Sequence, residues 1–223
     1  MRENLKLKAL EESCESSSGP GSDNGVVSVD EWSRPFEWDS QADDIRFNVF
    51  GISKYRANQR EIINTIMSGR DVLVIMAASG GKSLCYQPPT VLRDSVALVV
   101  SPLLSLILEQ VMGLAALGIP AFMLTSTTTK ENEKFIYKAL EKGGDELKIL
   151  YVTPEKISKS KIFMSKLEKC HHAGRLSLIS IDAYIPESEQ LKYEIRKVLV
   201  LFANITRIEY LGLPKLSTDW RKS

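Results

Sequence analysis

The stretch VALVVSPLLSLILEQV (96–111) decides how this chain folds. Its first five residues are apolar without a break, which suits a strand covered on both faces. A Ser-Pro step then ends the run, and a helical pattern extends over 102–117. The same unit recurs on either side of it. DVLVIM (71–76), AFML (121–124), KILYV (148–152) and LSLISID (176–182) are further short apolar runs, and 82–92, 129–142 and 161–171 carry helical spacing. Strand and helix in alternation predict an α/β domain with a doubly wound, mostly parallel sheet.

Composition bounds the rest. At 223 residues, 43% hydrophobic and 26% charged, the chain can bury a core of ordinary domain size. The net charge of +1 excludes a global basic field, so any contact with nucleic acid must be local. Cys14, Cys85 and Cys170 lie far apart, against both a disulfide framework and a zinc site. No apolar run nears the ~20 residues that span a bilayer, and MRENLKLKAL lacks the apolar core of a signal peptide. A soluble, intracellular protein is expected.

Residues 1–30 are polar and rich in Ser, Gly and Asp, and are expected to be a disordered arm. Order should begin near Trp32. There Ser40 can cap a short helix that Gly51 ends, and 58–69 reads as a helix stopped by Gly69. Lysines crowd 158–175, but interleaved apolar residues favour a solvated amphipathic helix over a nucleic-acid patch. His171 and His172 are adjacent, so as helix neighbours they point apart and make a poor metal pair.

The polar motifs fall at one place. AASGGKS follows the 71–76 run, SPLLS follows 96–100, TPEK follows 148–152, and Asp182 ends the last run. All lie at the carboxyl ends of expected parallel strands, where open α/β sheets bind ligands. SGGKS (79–83) between strand and helix is the core of a phosphate-binding loop. Ser79, Gly80 and Gly81 let backbone N–H groups turn toward phosphate oxygens, Lys82 reaches the terminal phosphates, and Ser83 offers a hydroxyl to Mg²⁺. Met76 stands where the full pattern begins with glycine.

FGISKYRANQREII (50–63), MAASGGKSLCYQPP, VVSPLLSLILEQV, YVTPEKI and LISID, in this order and spacing, closely resemble the first RecA-like lobe of RecQ-family DNA helicases, the plant-type members nearest. The resemblance covers roughly 32–182, with a helicase lobe expected over 31–182. It implies ATP and Mg²⁺ as ligands, 3′-to-5′ unwinding of DNA by the full-length relatives, and a nuclear location. It also implies roles. Arg56 and Gln59 match the adenine-reading motif, with Tyr55 nearby as a base-stacking surface. Lys82 is the catalytic phosphate residue. Ser101, Pro102, Thr153, Pro154 and Glu155 match motifs that lie along single-stranded DNA. Asp182 matches the aspartate that holds Mg²⁺.

The sequence also departs from that family. The family follows its aspartate with a glutamate that polarises water, then Ala-His. Here Ala183 stands in the glutamate's place. Glu187 and Glu189 are the nearby carboxylates, and Pro186 argues against their accurate placement. Residues 183–223 read as a divergent tail in which Leu191, Ile195, Val198, Leu199 and Phe202 could line one helix face. Neither the family's aromatic-rich coupling loop nor its second lobe with the arginine finger is recognisable in it. A chain so built is expected to bind nucleotide and, weakly, DNA, and to hydrolyse ATP poorly. The alternative is a non-enzymatic partner-binding or nucleic-acid-binding remnant. Ser79 stands where glycine is usual, and Leu108, Glu109 and Pro89 also depart from the family.

Overall fold

The computed structural model describes residues 29–72, 74, 76 and 80–182. The expected arm over 1–30 lies almost wholly outside them, as do the tail from Ala183 onward and Ser79. The strands are β1 (Val96–Val100), β2 (Ala121–Leu124), β3 (Ile149–Val152) and β4 (Leu176–Ile181). They form a parallel sheet in the order β2-β3-β1-β4. The helices are α1 (Asp39–Asp44), α2 (Gln59–Met67), α3 (Ser83–Leu92), α4 (Leu104–Ala116), α5 (Lys130–Lys142), α6 (Pro154–Lys159) and α7 (Lys161–His172).

Alternation along the strands sorts the core into two layers, because successive side chains leave a strand on opposite faces. Leu98 and Val100 of β1, Leu150 and Val152 of β3 and Leu124 of β2 point one way. They pack on Ile136 and Leu140 of α5, Ile157 of α6, and Phe163, Leu167 and Cys170 of α7. Val99, Ile149, Tyr151 and Ala121 point the other way, onto Tyr86 of α3 and Ile107 and Leu114 of α4. The sheet is therefore doubly wound. β4 breaks parity once, where its register against β1 shifts between Val96 and Ala97. The lysine-rich helix α7 earns its place through its buried Phe163, Leu167 and Cys170.

Two local expectations are corrected. None of the described residues of 71–76 lies in a strand. An apolar run asks for burial, whereas a strand needs a ladder partner as well. Val74 and Met76 are partly buried, packing with Ile62, Ile66, Cys85 and Leu178, while Val72 stays exposed. The second correction concerns Ser40. Trp38, not Ser40, occupies the N-cap of α1, with no side-chain cap bond. The Trp38 indole donates instead to Asn64 Oδ1 at 2.9 Å, fixing the start of α1 against α2. The helical path continues through a π-helical turn (Ile45–Val49) and ends at Gly51, whose φ is +66°.

Arg93 closes this part of the fold. Its Nη2 donates to the carbonyls of Ile66 (2.9 Å) and Met67 (2.8 Å) at the end of α2. Its Nη1 donates to Ser177 O in β4 at 3.2 Å. One guanidinium thus satisfies the exposed carbonyl end of a helix and ties it to the sheet. Burial lowers its pKa from the ordinary value.

Candidate nucleotide and nucleic-acid site

The ladder itself assembles the polar edge. Asp182 N donates to Val100 O at 2.8 Å, and Ser101 N donates to Val152 O at 3.0 Å. Asp182, Ser101 and Thr153 therefore stand beside one another at the carboxyl ends of β4, β1 and β3. Ser101 is buried, and its hydroxyl has no hydrogen-bond partner among the described residues. Pro102 and Leu103 lead from it into α4, whose first turn has no side-chain cap. Thr153 occupies the N-cap position of α6, with Pro154 and the exposed Glu155 in its first turn.

The loop region draws on α2 and α3. Gln59, the first residue of α2, is fully buried. Its Nε2 donates to Gly81 O at 3.0 Å and lies 3.5 Å from Gly80 O, while its Oε1 accepts from Arg56 N at 2.8 Å. Asn58 before it sits in the left-handed region, φ 65°, which turns the chain so that Gln59 faces inward. Gly81 cannot readily be replaced. Its φ is +83°, and a Cβ there would lie 2.6 Å from the Gln59 amide nitrogen. Arg56 Nη1 approaches the same spot, at 3.8 Å. Lys82 is the N-cap of α3 and Ser83 its first residue, again with no side-chain cap.

Tyr55 is placed differently from the expectation. Its hydroxyl donates to Ala42 O at 3.1 Å, and Arg46 lies over its ring, 5.4 Å from the centroid. That face is already taken by a cation, so any base would have to use the other. Burial raises the Tyr55 pKa, with Asp43 adding to the effect.

Between the two groups lies a buried polar cluster that the sequence reading did not single out. Tyr86 and Tyr151 place their hydroxyls 3.3 Å apart. Gln87 Nε2 donates to Gln110 Oε1 at 2.8 Å and to the Tyr151 hydroxyl at 3.3 Å. Burial drives the Tyr86 phenol far above its ordinary range, helped by Tyr151 and the Asp182 carboxylate and opposed by a hydrogen bond with Ser83. Tyr151 is raised for the same first reason, with Asp182 again adding and its bonds to Tyr86 and Gln87 opposing. Ser83, through its hydrogen bond, and Asp182, through its charge, thus both bear on the Tyr86 phenol. Two hard oxygen donors suit Mg²⁺, which takes few protein ligands and keeps waters and phosphate oxygens. Among the described residues no group of three or more His, Cys, Asp or Glu could hold a metal by itself. The signal for the cluster was present in the sequence as a tyrosine inside the otherwise apolar ILYV.

The DEAD/DEAH box helicase family matches residues 56–182. ATP-dependent DNA helicase Q-like 2 of Arabidopsis thaliana is 74% identical over 178 residues, 79% of this chain and 25% of that protein. ATP-dependent DNA helicase Q1 of Rattus norvegicus is 40% identical over 222 residues, covering 98% of this chain and 36% of its own length. A putative ATP-dependent DNA helicase Q1 of Caenorhabditis briggsae is 41% identical over 93% of this chain and 33% of its own. The chain therefore spans a quarter to about a third of these relatives. The 74% match leaves about a fifth of this chain uncovered, and the 98% match runs past Asp182. The DUF1998 helicase MrfA, in a crystal structure bound to DNA and AMPPNP, shares the fold with a TM-score of 0.51 at 17% identity, over 74% of this chain and 29% of its own. No described helix is long and apolar enough to cross a membrane.

Proposed function

The chain belongs to the DEAD/DEAH box helicase family, in its RecQ-like branch, and on that premise we propose that it binds ATP with Mg²⁺ at the 80–83 loop and single-stranded DNA along the neighbouring sheet edge. The observation that carries this reading is the bond from the buried Gln59 amide to Gly81 O. It joins the residue expected to read adenine to the loop expected to hold phosphates. The backbone of Gly80 and Gly81, the Lys82 ammonium and the open end of α3 would hold the phosphates. Ser83 and Asp182 would hold the ion, whose chemistry is to neutralise phosphate charge. Ser101, Pro102, Thr153, Pro154 and Glu155 form the DNA edge, where phosphates are gripped without base readout. The orphaned Ser101 hydroxyl supports this role, since buried polar groups ordinarily have partners. A nuclear location follows from the same kinship.

Catalysis is where the chain departs from its kin. Ala183 offers no carboxylate to polarise water, and loss of such a group costs ~10²–10⁴ in rate. These residues therefore bind ATP and turn it over near background.

Titration with a fluorescent ATP analogue tests the proposal. Lys82→Ala should weaken binding ~10-fold or more, the value of hydrogen bonds to a charged group. Gln59→Ala should erase preference for adenine over guanine. Equal binding by Lys82→Ala and the parent overturns the loop assignment. DNA affinity should be sequence-blind and fall steeply with salt.

A further inference from the structure

We propose that Gln87, Tyr151 and Gln110, with Tyr86, are positioning residues that couple nucleotide occupancy at the 80–83 loop to DNA affinity at the sheet edge. The inference rests on the binding sites proposed above and adds to them the element that links them.

The cluster's members come from the elements that carry those sites. Gln87 and Tyr86 lie on α3, whose first residue is Ser83 and whose N-cap is Lys82. Gln110 lies on α4, which the chain enters directly from Ser101 and Pro102. Tyr151 lies on β3, two positions before Thr153. Gln87 Nε2 bonds to both of the others, at 2.8 Å to Gln110 and 3.3 Å to Tyr151. A single amide thus joins the nucleotide helix to both parts of the DNA edge.

A cluster that served only the fold would be an odd choice here. The core of the opposite face is built of Leu, Ile, Val, Phe, Ala and Cys side chains, and the phenol packed against it, Tyr137, is only partly buried and bonds outward to Glu133. Burying amides and phenols brings a desolvation cost that leucine would avoid. What the polar version adds is direction. Hydrogen bonds weaken steeply as their angles open, so a small movement of α3 on filling the loop is felt by α4 and β3, whereas an apolar contact would slide.

Linkage gives the test, because nucleotide and DNA must change each other's affinity by the same factor. The affinity of the full chain for a fluorescent single-stranded oligonucleotide is measured with and without saturating AMPPNP and Mg²⁺. The parent should show a ratio of about fivefold or more, the lower end of ordinary allosteric coupling. Gln110→Met removes the acceptor and should bring the ratio within about twofold of unity. Gln110→Glu keeps an oxygen facing Gln87 Nε2 and should restore it. Tyr151→Phe, which leaves the ring in place, carries the test if Gln110→Met fails to fold, and should also lower the ratio.

A parental ratio in Gln110→Met or Tyr151→Phe overturns the proposal. So does a Gln110→Glu variant that folds but stays uncoupled, since that outcome marks a purely structural cluster. So does a parent that binds both ligands without linkage. A parent that binds no AMPPNP, or binds it equally after Lys82→Ala, refutes the nucleotide site instead, and the coupling falls with it.

Discussion

The two faces of the sheet are packed by different chemistry. On one, α5, α6 and α7 close over Leu98, Leu150 and Val152 with Ile136, Leu140, Phe163 and Leu167, all essentially inaccessible to solvent. On the other, α3 and α4 cover Val99 and Ile149, but Tyr86, Gln87 and Tyr151 bring hydroxyl and amide groups into the interior. Lys82 and Ser83 begin α3 and Ser101 leads into α4, both of the second face, whereas Thr153, Pro154 and Glu155 begin α6 of the first. The outward sides of the helices differ as well. α5 shows lysines and glutamates to solvent, whereas α4 shows Leu104, Leu108 and Met112. The dry face carries stability, and the wet face gives some of it up to bury hydroxyl and amide groups.

The largest effect expected from this contrast is on the dry face. Phe163→Ala empties a fully buried site among Leu140, Val152 and Leu167, and should cost about 3–5 kcal/mol in urea unfolding. A loss below about 1 kcal/mol would mean that α7 is not part of the cooperative core.

Tyr151→Phe tests the wet face by the same measurement. It removes one hydroxyl shared with Tyr86 and Gln87 and leaves the ring, so the loss should be about 1 kcal/mol. A loss as large as that of Phe163→Ala would erase the distinction between the faces, because it would make the polar cluster as structural as the dry core.

A smaller, pH-dependent effect is expected at the rim of the dry face, where Tyr137 packs against the core. Glu133 accepts from Lys156 Nζ at 2.8 Å and from the Tyr137 hydroxyl at 2.5 Å. The bond from Lys156, then that from Tyr137, holds the Glu133 pKa below its ordinary value of 4.5. A depressed carboxylate contributes stability that is present above pH 4.5 and is lost as pH falls through the lower folded value. Because this pair lies near solvent, the contribution is a few tenths of a kcal/mol. Glu133→Gln should therefore flatten the acid limb of the stability profile slightly, and an unchanged limb would remove the bridge from the account. At the other extreme burial, then the Glu133 bond, pushes Tyr137 up to about 12. Its neutral form is favoured, and that stability fades as pH climbs from 10 through about 12.

The smallest effect belongs to Met112, which is 64% exposed on the outer side of α4. Met112→Lys should change stability by no more than about 0.5 kcal/mol in a thermal melt. A marked destabilisation would show that the outer side of α4 is covered in solution.

The unit VALVVSPLLSLILEQV predicted a strand and a helix, and the structure has them at Val96–Val100 and Leu104–Ala116. The other covered strands and the long helices were legible for the same reason: unbroken apolar runs and helical spacing are local properties. The phosphate-loop pattern could be picked out for a related reason, because it is contiguous in sequence. The run 71–76 misled, since its apolar residues specify burial without specifying a ladder partner. Ser40 misled likewise: capping preference was overridden by the tertiary bond from Trp38 to Asn64.

What the sequence determined by itself is thus the parallel α/β class, the carboxyl-edge address of Ser101, Thr153 and Asp182, and the family. Only the tertiary structure decided which residues meet: Gln59 with Gly81, Tyr86 with Tyr151, Arg46 over Tyr55, and Gln87 with Gln110 and Tyr151. The physical reason is range. Periodicity and turn chemistry act over a few residues, but these contacts join elements up to 65 positions apart in the chain, from Tyr86 to Tyr151, and exist only once the sheet has ordered its strands.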